Sequence, residues 1–238
     1  MKLMVIGASR GLGRAFIEGL PGDGDTVVGV SRSKPLVSNP SQSVELRWIE
    51  ADFARPLEAV DRVERESPDE LDVIICNLGI WEETAFTDGY SFLEHSDESI
   101  AEMMDVNVTG TILLLKRLMP RLLHSQKPQL ILTGSTSGLR QSGRPEVAFG
   151  ASKFALAGIA DALREGFRRD GLAVTCLQLG YLNTDDSIAI PLEEAAARGG
   201  GELIPMHDVV EVVRSVLHLS KAAFVREIVI PAIRDERF

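Results

Sequence analysis

Apolar residues fall in short runs along this chain, with helical stripes between them. Residues 3–8 (LMVIGA), 26–31 (TVVGVS), 44–52 (VELRWIEAD), 71–77 (LDVIICN), 129–135 (QLILTGS), 172–180 (LAVTCLQLG) and 226–232 (REIVIPA) read as strands. Several are apolar throughout, as strands covered on both faces of a parallel sheet must be. Between them, Gly11–Leu20, Pro56–Glu66, Ser99–His124, Ala148–Arg169 and Asp208–Leu219 carry helical spacing. The longest stripe runs through Ile100, Met103, Met104, Val106 and Leu113–Leu115. Strand–helix–strand repetition from end to end predicts a single α/β domain over residues 1–238, a doubly wound parallel sheet of Rossmann type with helices on both faces. No internal repeat or linker divides it.

Two segments break the rhythm. Ile80–Asp97 is acidic and irregular; Asn183–Pro205 mixes an acidic, alanine-rich stretch with Gly199–Gly201. Both leave from the carboxyl ends of strands, where open α/β sheets bind their ligands, so they are the expected substrate walls and lid.

A net charge of −10 argues against nucleic acid as partner. No apolar run approaches the ~20 residues that span a bilayer, and Met1 leads straight into a strand rather than a signal peptide. Cys76 and Cys176 both sit inside apolar runs and read as core thiols, not as a disulfide framework. These features together point to the cytoplasm. No metal-ligand spacing is evident among the four histidines and two cysteines.

The chemistry begins at GASRGLG, residues 7–13, which joins the first strand to its helix. A dinucleotide pyrophosphate needs a tight turn, close backbone approach and a helix N-terminus with free N–H groups. Gly7, Gly11 and Gly13 suit the first two needs, and the backbone of Ser9, Arg10 and Leu12 the third. At the end of the second strand an acid would hold ribose hydroxyls and repel a 2′-phosphate. This chain has Ser31 and Arg32 there, with Arg10 as a second cation in the turn. Arginine binds phosphate oxygens through a planar fork, so NADP(H) is expected over NAD(H).

In these motifs and their order, nearly the whole chain resembles the short-chain dehydrogenase/reductase family. The glycine turn matches, and Asp52 beside Phe53 matches the acid that meets the adenine amino group. CNLG resembles the family's NNAG, keeping Asn77 and Gly79. Asn107 matches the asparagine that anchors a proton-relay water, Ser135 the serine that bonds the substrate oxygen, and Lys153 the lysine that holds the nicotinamide ribose. LGYLNT, with Gly180, Leu182 and Thr184, resembles the segment near the carboxamide, although Leu179 stands where proline is usual. The resemblance implies hydride exchange between a nicotinamide and a carbonyl or alcohol carbon of a small molecule. It also implies a homodimer or homotetramer built on the two long helices.

One position departs. In the family a tyrosine four residues before the lysine protonates the forming alkoxide; here it is Phe149, which has no proton to give. General acid–base catalysis is typically worth ~10²–10⁴-fold. The donor is then Tyr181, or a water held by Asn107, Lys153 and Ser135, or a tyrosine lost from position 149 by substitution. The alternative to an oxidoreductase is a non-redox NADP(H)-binding protein on the same scaffold: a sensor, a partner subunit or a lyase-type enzyme.

Overall fold

The computed structural model describes residues 1–35, 43–236 and 238. Seven strands form one sheet: β1 (Lys2–Ile6), β2 (Thr26–Ser31), β3 (Glu45–Glu50), β4 (Val73–Cys76), β5 (Gln129–Thr133), β6 (Ala173–Leu179) and, after two short strands described below, β9 (Glu227–Ile230). Their order is β3-β2-β1-β4-β5-β6-β9, and every pairing is parallel. The helices are α1 (Gly11–Gly19), α2 (Pro56–Glu66), α3 (Asp97–Met104), α4 (Gly110–Leu122), α5 (Val147–Gly166), α6 (Leu192–Gly199) and α7 (Met206–Leu217).

The sheet separates two apolar layers, and the two-residue period of a strand assigns side chains to each. Met4 and Ile6 of β1 join Val60 of α2, Leu118 of α4 and Leu156 of α5 on one face. Leu3 and Val5 join Phe16 of α1 and Val209 and Val213 of α7 on the other. Each face alone would leave the opposite side of β1 in water, which is why a strand this apolar needs helices on both sides. Cys76 and Cys176 are buried free thiols within the first layer.

The long helix predicted over Ser99–His124 is one rod with a wide turn inside it. Between α3 and α4, Asp105–Thr109 forms a π-turn, with the Gly110 N–H reaching back to the Asp105 carbonyl. A single extra residue in a helix turns the following side chains and is common where function needs an unusual placement. Here the turn contains Asn107.

The segment expected to be an irregular lid is more regular than its sequence suggests. Leu182–Asn183 (β7) pairs with Ile204–Pro205 (β8) in a small parallel ribbon, and α6 lies between them. Pro191 precedes α6, and Gly200, in the left-handed region, ends it. Residues 80–97 stay largely irregular, apart from a short 3-10 turn at Phe92–Glu94. Among the described residues no helix is long and apolar enough to cross a membrane.

Candidate active site

The strand order reverses between β1 and β4, which opens a crevice beyond their carboxyl ends. Gly7 ends β1 with φ +78, and a Cβ there would lie 2.5 Å from the Asn77 carbonyl oxygen at the end of β4. A Cβ on Gly13 would lie 2.0 Å from the Gly7 carbonyl oxygen. Only glycine permits strand and helix to meet this closely. The N-terminus of α1 has no side-chain cap, so its orphan N–H groups stay open to a ligand. A close-packed glycine turn beneath an uncapped helix end fits a dinucleotide pyrophosphate.

A cavity of about 630 Å³ extends from this turn. Of the residues predicted for the site, Gly7, Ser9, Arg10, Gly11, Leu12, Ser31, Arg32, Asp52, Phe53, Asn77, Gly79, Gly180, Leu182 and Thr184 line it, as do Ser135, Phe149, Lys153 and Tyr181. Two do not. Gly13 is buried beneath the turn as spacing, and Asn107 lies behind the wall.

At the adenosine end Arg10 and Arg32 are exposed, and neither has an ion-pair partner among the described residues. The Ser31 hydroxyl donates to the Ser33 carbonyl at 2.7 Å. Asp52 is exposed and accepts the Ala54 N–H through one carboxylate oxygen at 3.2 Å.

At the other end Lys153 is buried, and its Nζ donates to the backbone carbonyls of Thr133 at 3.0 Å and Leu78 at 3.3 Å. Burial disfavours the ammonium and lowers its pKa to about 8. Ser135 Oγ accepts the Ser137 N–H at 3.1 Å, which leaves its own proton for another acceptor. The Ser135 N–H is held by Gln178 Oε1 at 3.1 Å, and Gln178 Nε2 donates to Glu227 at 2.8 Å. Gln178 is thus a positioning residue for Ser135 that nothing local in its strand announces.

Asn107 acts one step back. Its Oδ1 accepts the Ile80 N–H at 2.8 Å, and its Nδ2 donates to the Ile80 carbonyl at 2.8 Å and to Ser152 Oγ at 3.0 Å. This side chain clamps the start of the 80–97 wall to α5.

Phe149 is 5% exposed and takes part in an aromatic wall. Its ring meets Phe86 at 5.1 Å and Trp81 at 6.5 Å, both edge to face, and Phe86 meets Tyr181 at 5.8 Å. Glu82 accepts the Phe149 N–H at 3.3 Å, and the Tyr90 hydroxyl accepts the Val147 N–H at 2.9 Å. Both fasten the first turn of α5 to the wall. Tyr90 is therefore a fastening of this helix, stacked on His95 with ring centres 5.3 Å apart.

Arg144 was not foreseen. Its guanidinium donates to the Tyr181 hydroxyl and, at 2.6 Å, to Asp235. Among the described residues no group of three acidic, histidine or cysteine side chains could hold a metal ion.

The chain matches a family model described as short chain dehydrogenase over residues 2–194. It is 30% identical over 190 residues to an NADPH-dependent pterin aldehyde reductase of Arabidopsis thaliana, covering 77% of this chain and 75% of that one. A 3-oxoacyl-(acyl-carrier-protein) reductase of Escherichia coli is 24% identical over 202 residues, 81% of this chain and 78% of the other. In three dimensions the fold is similar to an alcohol dehydrogenase of Thermococcus sibiricus complexed with 5-hydroxy-NADP. The TM-score is 0.76 at 21% identity, with 99% of this chain and 97% of that one covered.

Proposed function

The chain belongs to the short-chain dehydrogenase family, a family of oxidoreductases, and from that premise we propose that it is an NADP(H)-dependent oxidoreductase acting on a carbonyl or alcohol carbon of a small molecule. One observation carries the proposal: the glycine turn at the uncapped N-terminus of α1 opens into the same cavity as Ser135 and Lys153. Relatives named for reductase activity support redox chemistry over the non-redox alternative.

The α1 N-terminus and Gly7 would hold the pyrophosphate, Asp52 the adenine amino group, and Lys153 the nicotinamide ribose. Arg10 and Arg32, both without carboxylate partners among the described residues, favour a 2′-phosphate. Bound there, the nicotinamide supplies or accepts a hydride. Ser135 Oγ, its lone pair engaged by Ser137, gives its proton as a hydrogen bond to the substrate oxygen and orients it. Trp81, Phe86 and Phe149 form an apolar wall that excludes water from the reacting carbon. The segments 80–97 and 183–205 act as substrate walls and lid. Copies of the chain pair through α4 and α5, where Ile112, Val147 and Phe154 stand about half exposed.

NADPH fluorescence titration beside an NADPH-oxidation screen on aldehydes and ketones tests the proposal. Binding with turnover that disappears in Ser135→Ala is expected; binding without turnover on any carbonyl would favour the non-redox reading. A mass in solution that stays monomeric at every concentration would contradict the pairing.

A further inference from the structure

Position 149 holds no proton, yet the cavity contains one phenol, and a buried cation is bound to it. Arg144 Nη1 donates to Tyr181 Oη, and the guanidinium carbon lies 4.4 Å from the centre of the Tyr181 ring. Nη2 of the same group donates to Asp235 Oδ2 at 2.6 Å. The side chains of Arg144 and Asp235 are only 3% and 2% exposed. From this arrangement, and resting on the oxidoreductase reading above, we propose that the proton donor has moved from position 149 to Tyr181, with Arg144 as the positioning cation and Asp235 as its anchor.

The hydrogen-bond sense carries the proposal. A phenol has one proton and accepts through its oxygen. Arg144 has no lone pair and can only donate, so it occupies the acceptor side of Tyr181 Oη. The Tyr181 proton is thereby left for a different acceptor. Arginine is a cation, so negative charge formed on the Tyr181 oxygen would face the buried guanidinium that already donates to it. In the family the lysine serves the tyrosine at the vacated position. Here position 149 offers Lys153 Nζ only a ring, with 5.7 Å to the Phe149 centroid, and the ammonium donates instead to the Thr133 and Leu78 carbonyls.

Stability does not explain the trio. A buried ion pair is a poor stabilising device, because desolvating two charges offsets their attraction. Its placement against the cavity's phenol is better accounted for by function. The seat is also firm: a Cβ on the preceding Gly180 would lie 3.1 Å from Pro231 Cα, so the chain there has little freedom. The Phe86 ring meets both the Phe149 and the Tyr181 ring, at 5.1 and 5.8 Å, and all three line the same cavity. Both positions therefore border one substrate space.

The step balances as follows. A hydride from the reduced nicotinamide dinucleotide forms the new C–H bond at the carbonyl carbon, and the C=O π pair moves onto oxygen. The Tyr181 Oη–H bond breaks, its proton forms the alcohol O–H bond, and the phenolate left beside Arg144 is reprotonated from water.

The test uses the full chain with NADPH, and 4-nitrobenzaldehyde and 9,10-phenanthrenequinone as probes. Tyr181→Phe is expected to lower kcat by about 10²-fold or more, with NADPH affinity, read by fluorescence, unchanged within about twofold. Arg144→Lys keeps a cation and should retain more activity than Arg144→Met. The double variant Arg144→Met/Asp235→Asn removes the charge of both partners together and should match Arg144→Met in rate. Adding Phe149→Tyr to Tyr181→Phe should restore about tenfold or more of the rate, because a hydroxyl would again border the substrate. This gain should exceed the one that Phe149→Tyr gives in the unchanged chain, because two hydroxyls that serve the same step are redundant; equal gains in both backgrounds would mean that Tyr181 does not donate.

Undiminished kcat in Tyr181→Phe overturns the proposal. So does NADPH affinity that falls in step with kcat, since Tyr181 would then serve the cofactor. Wild-type protein that binds NADPH but oxidises it with neither probe also overturns the donor and leaves the cofactor reading standing. Failure to bind NADPH at all removes the reading on which both rest.

Discussion

Lys153 holds its Nζ 5.7 Å from the centre of the Phe149 ring, one helical turn earlier on α5, and hydrogen-bonds past it to Thr133 and Leu78. The spacing of four residues places both side chains on one helix face, so a hydroxyl at 149 would enter the space that the lysine already borders. Phe149→Tyr in the otherwise unchanged chain is expected to raise carbonyl reduction by roughly tenfold, toward the usual worth of a positioned acid. Steady-state NADPH oxidation checks this, and no gain on any carbonyl would mean that Ser135 and Lys153 do not frame a reduction site.

The glycine turn allows a sharper structural test. An alanine at 13 would put its Cβ 2.0 Å from the Gly7 carbonyl oxygen, a backbone atom that cannot swing aside. Gly13→Ala must push α1 off β1, at a cost of about 1–3 kcal/mol or more. For a chain of this size each kcal/mol lowers Tm by roughly 2–4 °C. Calorimetry should show that loss, and NADPH affinity should fall with it because the α1 N–H groups move. A variant with unchanged Tm would mean that the strand–helix junction is looser than its geometry.

The parts of this molecule that were legible in the sequence are those whose cause is local. β4 is apolar throughout, and β1 and β5 are apolar apart from Lys2, Gln129 and Thr133 at their ends, because both faces are covered, and their composition shows it. The glycine turn is legible because close approach demands a missing Cβ. What escaped depends on distance. Arg144 and Asp235 are 91 residues apart, and neither stands in a motif. The convergence of Phe86 and Tyr181 on Phe149 needs the fold to exist first. α6 was hidden because only Ala195 and Gly199 are buried, too few for a stripe. The contact of Asn107 with Ile80 was hidden because the π-turn that aims its amide there exists only in the folded helix.

The proposed preference for NADP(H) turns on Arg32. It is exposed at the end of β2 and lacks a carboxylate partner among the described residues, so its charge is available to a phosphate. Charge-assisted hydrogen bonds contribute about 1.5–3 kcal/mol, or roughly 10–100-fold in affinity. Arg32→Asp should weaken NADPH by about that factor, through lost attraction and new repulsion, while NADH binding holds or improves. Paired fluorescence titrations at fixed ionic strength measure the ratio. An unchanged ratio would assign the discrimination elsewhere, with Arg10 the next candidate.

Lys153 also ties the site to stability. In the unfolded chain its ammonium holds its proton up to the ordinary value of 10.5, whereas in the fold burial lowers that to about 8. Between these values the unfolded state binds more protons, so stability rises with pH. Below about 8 both states are protonated, and the fold carries the full cost of the buried charge; above about 10.5 neither is, and the cost is gone. Lys153→Met has no such group. The difference in stability, wild type minus variant, should therefore be flat below pH 8 and become more favourable to the wild type from about 8 to 10.5. The size of the change is on the order of 3 kcal/mol for a shift of this extent. The thiol of Cys176 is raised to about 11 chiefly by burial, which acts alike in both proteins, while its weaker interaction with Lys153 is lost in the variant. Denaturant melts at several pH values read the difference directly. Bound cofactor should shrink the pH dependence, because ribose hydroxyls would accept from the ammonium and favour its charged form. A difference independent of pH would show that Lys153 is already well solvated in the fold.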